Sequence, residues 1–353
     1  MKVFHCDHCE HLVFFENVQC VKCKHALAYL PDQEEVASFE PAGDDLWRTR
    51  DGKTYRLCQN YPKENVCNWA VPAGDDNPLC RACRLTRVIP DLNKPGHREA
   101  WYQLEVAKRR LVYTLAWLEL PLATRLEDEK CGLAFEFLAD PEAPDAPKVL
   151  TGHADGVITV NIAEANDAER EKRRLEMHEP YRTLLGHFRH EVGHYYWDRL
   201  IKDSPRLLSF RRVFGDESAD YGAALQEHYQ NGPPADWQNE FISTYATSHP
   251  WEDWAETWAH YLHMIDTLET TAACGLTLRP DSADEPKLKP DPALKAGRLP
   301  PFDRLVTNWH PVTYVLNNLN RGLGQGDAYP FVLAAPVIAK LRFIHDVIAT
   351  WTA

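Results

Sequence analysis

Residues 184–197 read Leu-Leu-Gly-His-Phe-Arg-His190-Glu191-Val192-Gly193-His194-Tyr-Tyr-Trp, inside an apolar and aromatic run from Tyr181 to Leu200 that predicts a helix. On a helix a four-residue spacing stacks His190 and His194 on one face, close enough to share a metal ion. Glu191 follows the first histidine at the edge of that face. There it can take a proton from a metal-activated water instead of binding the metal. The plainer reading is a helix with two histidines and a solvated glutamate. The aromatic surroundings weigh against it, because buried imidazoles and carboxylates need partners.

A catalytic zinc requires a third protein ligand. Downstream, Pro250-Trp-Glu-Asp-Trp-Ala-Glu-Thr-Trp-Ala-His-Tyr261 predicts a second helix, from Trp251 to Leu268, with proline at a tolerated first position. Glu252, Glu256 and His260 fall on one face of it. Ala255 and Ala259 beside them permit a close helix crossing. One carboxylate on that face can ligate zinc while the next hydrogen-bonds a ligating histidine. Asp253 reads as an exposed helix-start carboxylate favoured by the helix dipole. Asp216 or Glu217, in Gly215-Asp-Glu-Ser-Ala-Asp-Tyr221, is a rival source of the third ligand.

Eight of the ten cysteines lie in the first 83 residues. Cys6-x2-Cys9 and Cys20-x2-Cys23 are two knuckles, each able to put two thiolates on one tetrahedral ion. Cys58, Cys67 and the knuckle Cys80-x2-Cys83 supply a second set of four. Two structural zinc ions follow, in addition to one catalytic Zn2+. Whether the pairs interleave between ions stays open at this level. An iron–sulfur cluster is the alternative, but hairpin-type spacing favours closed zinc sites. Cys131 and Cys274, among apolar or small neighbours, read as buried inert thiols.

The 353 residues exceed what one compact domain usually needs. The formal net charge of −13 argues against a nucleic-acid binder and gives no support to binding at an anionic membrane. No apolar leader opens the chain, and no apolar stretch nears the roughly 20 residues of a membrane-spanning helix. A soluble, cytoplasmic protein is expected. Residues up to about 90 read as small hairpins and knuckles around metal. Trp101, Leu104, Leu111, Leu115 and Leu118 then recur at helical spacings, with Lys108, Arg109 and Arg110 on the wet side and Pro121 ending the run. Asp140 to Pro147 is a loop by composition, Gly156 to Asn161 a strand, Glu169 to Met177 a charged helix. Pro280 to Pro301 is a surface excursion, and the tail from Pro311 to Ala349 is mostly helical. Arg81, Arg84, Arg87, Lys94 and Arg98 form a basic cluster. It reads as a solvated or docking face in preference to a surface that binds an acidic protein or nucleic acid. Arg321, among glycines, reads as a structural ion-pair partner in preference to a grip on a substrate carboxylate.

The pattern His-Glu-x-x-His followed by Glu-x-x-Ala-Glu resembles the gluzincin-type zinc peptidases, in particular those of the anthrax lethal factor type. The resemblance implies Glu252 as third ligand, Glu256 as support for a ligating histidine, and Tyr245, seven residues before the ligand, as a hydrogen-bond donor to the oxyanion. It also implies that Gly156 to Asn161 serves as an edge strand pairing with an extended substrate. Nearly the whole chain resembles a bacterial family of zinc-binding metallopeptidases with an N-terminal zinc ribbon. The carrying segments are the cysteine pairs, Cys67-Asn-Trp69, Leu79-Cys-Arg-Ala-Cys83, His190 to His194, Trp251 to Tyr261, Asn320-Arg-Gly-Leu-Gly324 and Tyr329-Pro-Phe331. The expected architecture is α+β: a β-rich zinc-ribbon region over 1–95, then a zincin-like, mainly helical metallopeptidase domain with a small sheet over 96–353. The expected function is peptide-bond hydrolysis on a peptide or protein substrate, with Glu191 as general base and a protein partner for the ribbon. The competing readings are a zinc-ribbon adaptor with a non-cleaving peptidase-like domain, and a hydrolase of a non-peptide amide. Retention of Glu191 weighs against the adaptor.

Overall fold

Short apolar runs between turn formers give the N-terminal region strands in place of helices. A computed structural model describes residues 1–143, 145–176, 183–282, 284–289 and 294–351. Expectations touching Pro144, Met177, Tyr181, Ala283 and residues 290–293 lie outside the described residues. Strands β1 (Phe4–His5) and β2 (Leu12–Val13) pair antiparallel around the first knuckle. Strands β3 (Ala26–Leu30), β4 (Glu35–Pro41), β5 (Leu46–Arg48), β6 (Thr54–Leu57) and β7 (Ala70–Pro72) follow as an antiparallel meander in chain order. Its core is Ala28, Leu30, Ala37, Phe39, Tyr55 and Ala70.

Strand β8 (Thr86–Val88) leaves the last knuckle and leads into helix α1 (His97–Trp117). Strands β9 (Ala134–Leu138), β10 (Gly152–Ala154) and β11 (Val157–Asn161) join β8 in a sheet of order β10-β11-β9-β8. The expected edge strand is therefore an interior one. β11 pairs parallel with β9 and antiparallel with β10, so both of its backbone edges are taken. Sequence alternation marked it as a strand but carried no information about what pairs with it.

The wet side expected for α1 also needs correction. Lys108 and Arg109 are buried, and only Arg110 of the three is exposed. Lys108 Nζ meets Glu105 of the preceding turn at 2.9 Å, and the Arg109 guanidinium donates to the carbonyl of Val66. Lys108 also donates to Thr86 Oγ1, and the distant partners of both charges, Thr86 and Val66, are what helical periodicity cannot reveal.

The remainder is helical: α2 (Asp167–Glu176), α3 (Leu184–Leu200), α4 (Leu207–Phe214), α5 (Tyr221–Asn231), α6 (Pro250–Ala273), α7 (Phe302–Gly322) and α8 (Ala335–Trp351). The fold is thus mixed, with a sheet-rich N-terminal region and a helical C-terminal region. Chain contacts divide it into two units. One comprises Met1, Thr114–Pro121 and Ala168–Ala353; the other comprises Lys2–Tyr113 and Leu122–Asp167. Among the described residues no helix is long and apolar enough to cross a membrane.

In the helical unit α3 and α6 pack directly together. Thr183 caps α3 by accepting from Gly186 N at 3.0 Å, and His249 caps α6 by accepting from Trp251 N at 3.1 Å. The crossing is close because Gly193 of α3 lies against Ala255 and Trp258, and Trp254 Nε1 donates to the Gly193 carbonyl at 2.8 Å. This contact sets the first turn of α6 beside the two histidines.

Candidate metal centre and cysteine clusters

Helix α3 offers His190 and His194 one turn apart, and the first turn of α6 brings Glu252 to them. The Nε2 atoms of the two histidines are 3.2 Å apart. Glu252 Oε2 is 3.0 Å from His190 Nε2 and 3.4 Å from His194 Nε2. Ligands about 2.0–2.1 Å from a tetrahedral zinc are separated by roughly 3.3 Å. The three atoms thus sit at the spacing of one ion's shell.

The donor set fits a cation chemically as well. His190 Nδ1 lies 2.7 Å from Glu256 Oε1, which places the ring proton on Nδ1 and leaves a lone pair on Nε2. That lone pair faces Glu252 Oε2, a buried oxygen that accepts no hydrogen bond. Convergent acceptors in a buried site are unfavourable unless a positive charge joins them. Burial disfavours a charged His190, but Glu252 and Glu256 outweigh it and push its pKa well above the usual value. The field that attracts a proton there equally attracts a metal cation.

Glu256 is itself fully engaged. Its Oε2 accepts from Ser243 Oγ at 2.6 Å. Burial raises its pKa, yet the hydrogen bond and charge of His190 hold it down at about 2. Trp251 packs on His194 with ring centroids 3.8 Å apart. Glu191 is buried on α3 and is not one of the converging ligand residues. Tyr245 opens a short 3-10 turn, Tyr245–Thr247, with its ring centroid 5.9 Å from that of His190. Burial and the charge of Glu252 push its phenol pKa well up, so it keeps its proton.

Other expectations resolve differently. His260 shares the face of α6 but turns to Tyr329, whose hydroxyl is 2.9 Å from its Nδ1. Asp253 is buried, not exposed, and pairs with Lys340 of α8 at 2.6 Å. Glu217 is held by Arg211 at 2.6 Å, and Asp216 lies 3.6 Å from the same guanidinium. That segment contributes Tyr221 instead, whose hydroxyl donates to Glu252 Oε1 at 2.7 Å. Tyr221, Ser243 and Trp251 carried no local signal beyond their nearness to charged residues. Arg321, by contrast, is the structural ion-pair partner expected of it, meeting Asp327 at 2.7 Å.

The cysteines form two sets of four that follow chain order without interleaving: Cys6, Cys9, Cys20, Cys23, then Cys58, Cys67, Cys80, Cys83. Cys6 to Cys23 and Cys9 to Cys20 are 3.6 Å apart between sulfurs, and Cys67 to Cys80 is 3.7 Å. Thiolates about 2.3 Å from a tetrahedral zinc stand roughly 3.8 Å apart. Backbone N–H groups of Trp69, Cys80 and Cys83 donate to sulfurs of the second set. Cys9 and Cys23 are part-exposed, whereas all four of the second set are buried. Cys131 and Cys274 are exposed, contrary to the inert buried thiols expected; their short apolar flanks did not reach a core. Four of the five basic-cluster residues meet carboxylates: Arg84 with Asp75, Arg87 with Glu136, Lys94 with Glu142 and Arg98 with Glu64.

Residues 97–347 match the family described as "Putative zinc-binding metallo-peptidase", and residues 3–94 match a zinc-ribbon domain. The chain belongs to this family of zinc-binding metallopeptidases with an N-terminal zinc ribbon. It is 44% identical over 350 residues to an uncharacterised protein of Mycobacterium bovis and to two of Mycobacterium tuberculosis, covering 99% of this chain and 95% of each relative. No solved structure matches it.

Proposed function

We propose that this protein is a zinc-dependent peptidase of the gluzincin kind, with His190, His194 and Glu252 as ligands and Glu191 as general base. The single observation that carries the reading is the convergence of two imidazole nitrogens and one carboxylate oxygen at 3.0–3.4 Å, with a glutamate next to the first histidine. When bound, zinc would lower the pKa of a water to about 7 and polarise the scissile carbonyl.

The chain's own residues do the rest. Glu191 takes the proton of the attacking water and returns it to the leaving amine. Glu256 keeps the His190 proton on Nδ1, which orients the ring and strengthens its Nε2 as a donor. Tyr245, protonated and near His190, donates to the oxyanion of the tetrahedral intermediate. The two cysteine sets hold structural zinc, which supplies folding energy to a region of short strands. A zincin-like fold for the helical unit, a cytoplasmic location and a protein partner for the ribbon belong to the same proposal.

The test is zinc content together with cleavage of a diverse peptide library by wild type and Glu191→Gln. Three zinc ions per chain in both proteins, with cleavage only by wild type, is the expected result. A wild type fully loaded with zinc that cleaves nothing would instead favour the adaptor reading.

A further inference from the structure

The mechanism above makes no use of Tyr221, yet its hydroxyl donates a 2.7 Å hydrogen bond to Glu252 Oε1. The carboxylate's other oxygen, Oε2, is the one that faces His190 and His194. Packing of α5 does not account for this contact, because that helix has no buried residue. Asp220 caps α5 by accepting from Ala223 N at 3.0 Å, which leaves Tyr221 as its first residue. The ring then lies edge-on to His249 and Trp251, with centroids 5.2 and 5.7 Å away. Cap, ring contacts and hydrogen bond all aim the phenol at one carboxylate oxygen.

We propose that Tyr221 is a positioning residue that holds Glu252 to ligation through one oxygen, so that a fourth position on the ion stays open to water and substrate. The inference rests on the peptidase reading of this site. A carboxylate can bind a cation through one oxygen or through both. Binding through both would crowd the position that a catalytic zinc keeps for water. A phenol donating to Oε1 occupies that oxygen's lone pair and draws charge from it, making it the poorer ligand. Oε2, which accepts no hydrogen bond, is left for the metal. Water or a substrate carbonyl then needs only to fill the open position, without displacing a protein oxygen from it.

The test reads coordination directly, without turnover. The full-length protein is treated with a chelator until two zinc ions remain, then given one equivalent of cobalt(II). Absence of thiolate-to-cobalt charge transfer verifies that the cysteine sites kept their zinc. Wild type should give the intense visible absorption of four-coordinate cobalt. Tyr221→Phe removes only the hydroxyl and keeps the ring contacts. It should give the weak absorption of a higher-coordinate ion, and its cobalt affinity should fall roughly tenfold or more. Tyr221→His, which restores a donor, should recover much of the four-coordinate spectrum. Thermal melting of the two-zinc form establishes that the variants are folded. A Tyr221→Phe spectrum identical to that of wild type overturns the inference. A wild type that takes up no third ion overturns the peptidase reading itself, so the two failures are distinguishable.

Discussion

Glu256 Oε1 and His190 Nδ1 are joined at 2.7 Å, a bond from the second turn of α6 to the middle of α3. It fixes the tautomer of His190 and therefore which nitrogen is offered to a metal. Removing it should cost metal affinity before anything else. Glu256→Gln retains the shape and can still bond Ser243, but loses the charge. Zinc affinity at this site is expected to fall about 10- to 100-fold, measured by competition with a chromophoric chelator. The two cysteine-bound ions should be unaffected. Unchanged affinity for the third ion would show that the carboxylate does not tune His190.

The α3–α6 crossing depends on the missing side chain of Gly193. A Cβ there would lie 3.0 Å from the Cα of Ala255, 3.2 Å from Trp258 Cβ and 3.3 Å from the Ala255 carbonyl oxygen. Alanine would gain about 1 kcal/mol in helix propensity. Against that, forcing two packed helices apart costs about 1–3 kcal/mol. Gly193→Ala should therefore melt at a lower temperature and bind the third ion less well, since Glu252 moves with α6. A higher melting temperature with full metal content would contradict the tight crossing.

Arg109 is buried beside the second cysteine set. Burial works against its charge, but Cys67 and Glu105, then Cys83 and Cys80, outweigh it and raise its pKa. Four thiolates on one divalent ion leave two net negative charges to be compensated in a buried place. Arg109→Met keeps the apolar stem and removes the compensation. A loss of about 3–5 kcal/mol is expected in denaturant unfolding, because a buried charge is left unpaired. Zinc release from this site should also become faster. Equal chelator-resistant zinc in variant and wild type would argue against a compensating role.

His260 gives the acid limb of stability. Burial, opposed by the nearby Glu256, lowers its pKa to about 4 in the fold, whereas an exposed histidine titrates near about 6.5. A depressed folded value means the unfolded chain binds the proton first. The contribution is therefore complete above pH ~6.5 and is lost as pH falls toward ~4, by up to about 3 kcal/mol. His260→Gln keeps an acceptor for the Tyr329 hydroxyl and cannot titrate. Its stability should fall less steeply than that of wild type over this window. Parallel curves from the two proteins would rule out His260 as the source.

Local spacing carried much of the site. His190 and His194 are four apart, and a helix turns that into a shared face whatever it packs against. Cys-x2-Cys likewise closes on one ion by its own short turn. Other features depended on partners far along the chain and left no local trace. Lys108, Arg109 and Asp253 look solvent-facing in sequence, yet each is buried on a partner elsewhere in the chain: Thr86 for Lys108, the Val66 carbonyl for Arg109 and Lys340 for Asp253. The strand at 157–161 is plain in its β-branched alternation, but whether it is an edge depends on β9 and β10.

By itself, then, the sequence determined which residues share a helix face or a knuckle, because those relations follow from backbone periodicity over a few residues. It also carried the family, since the motifs stand at recognisable spacings along nearly the whole chain. Only the tertiary structure decided that Glu252 meets the two histidines through one oxygen, that Ser243 and Tyr221 take up the remaining carboxylate oxygens of Glu256 and Glu252, and that the cysteines pair in chain order. The meeting of Glu252 and Glu256 with the two histidines depends on how closely α3 and α6 approach at Gly193 and Ala255. That distance is set by packing between residues some sixty positions apart, which no local pattern encodes.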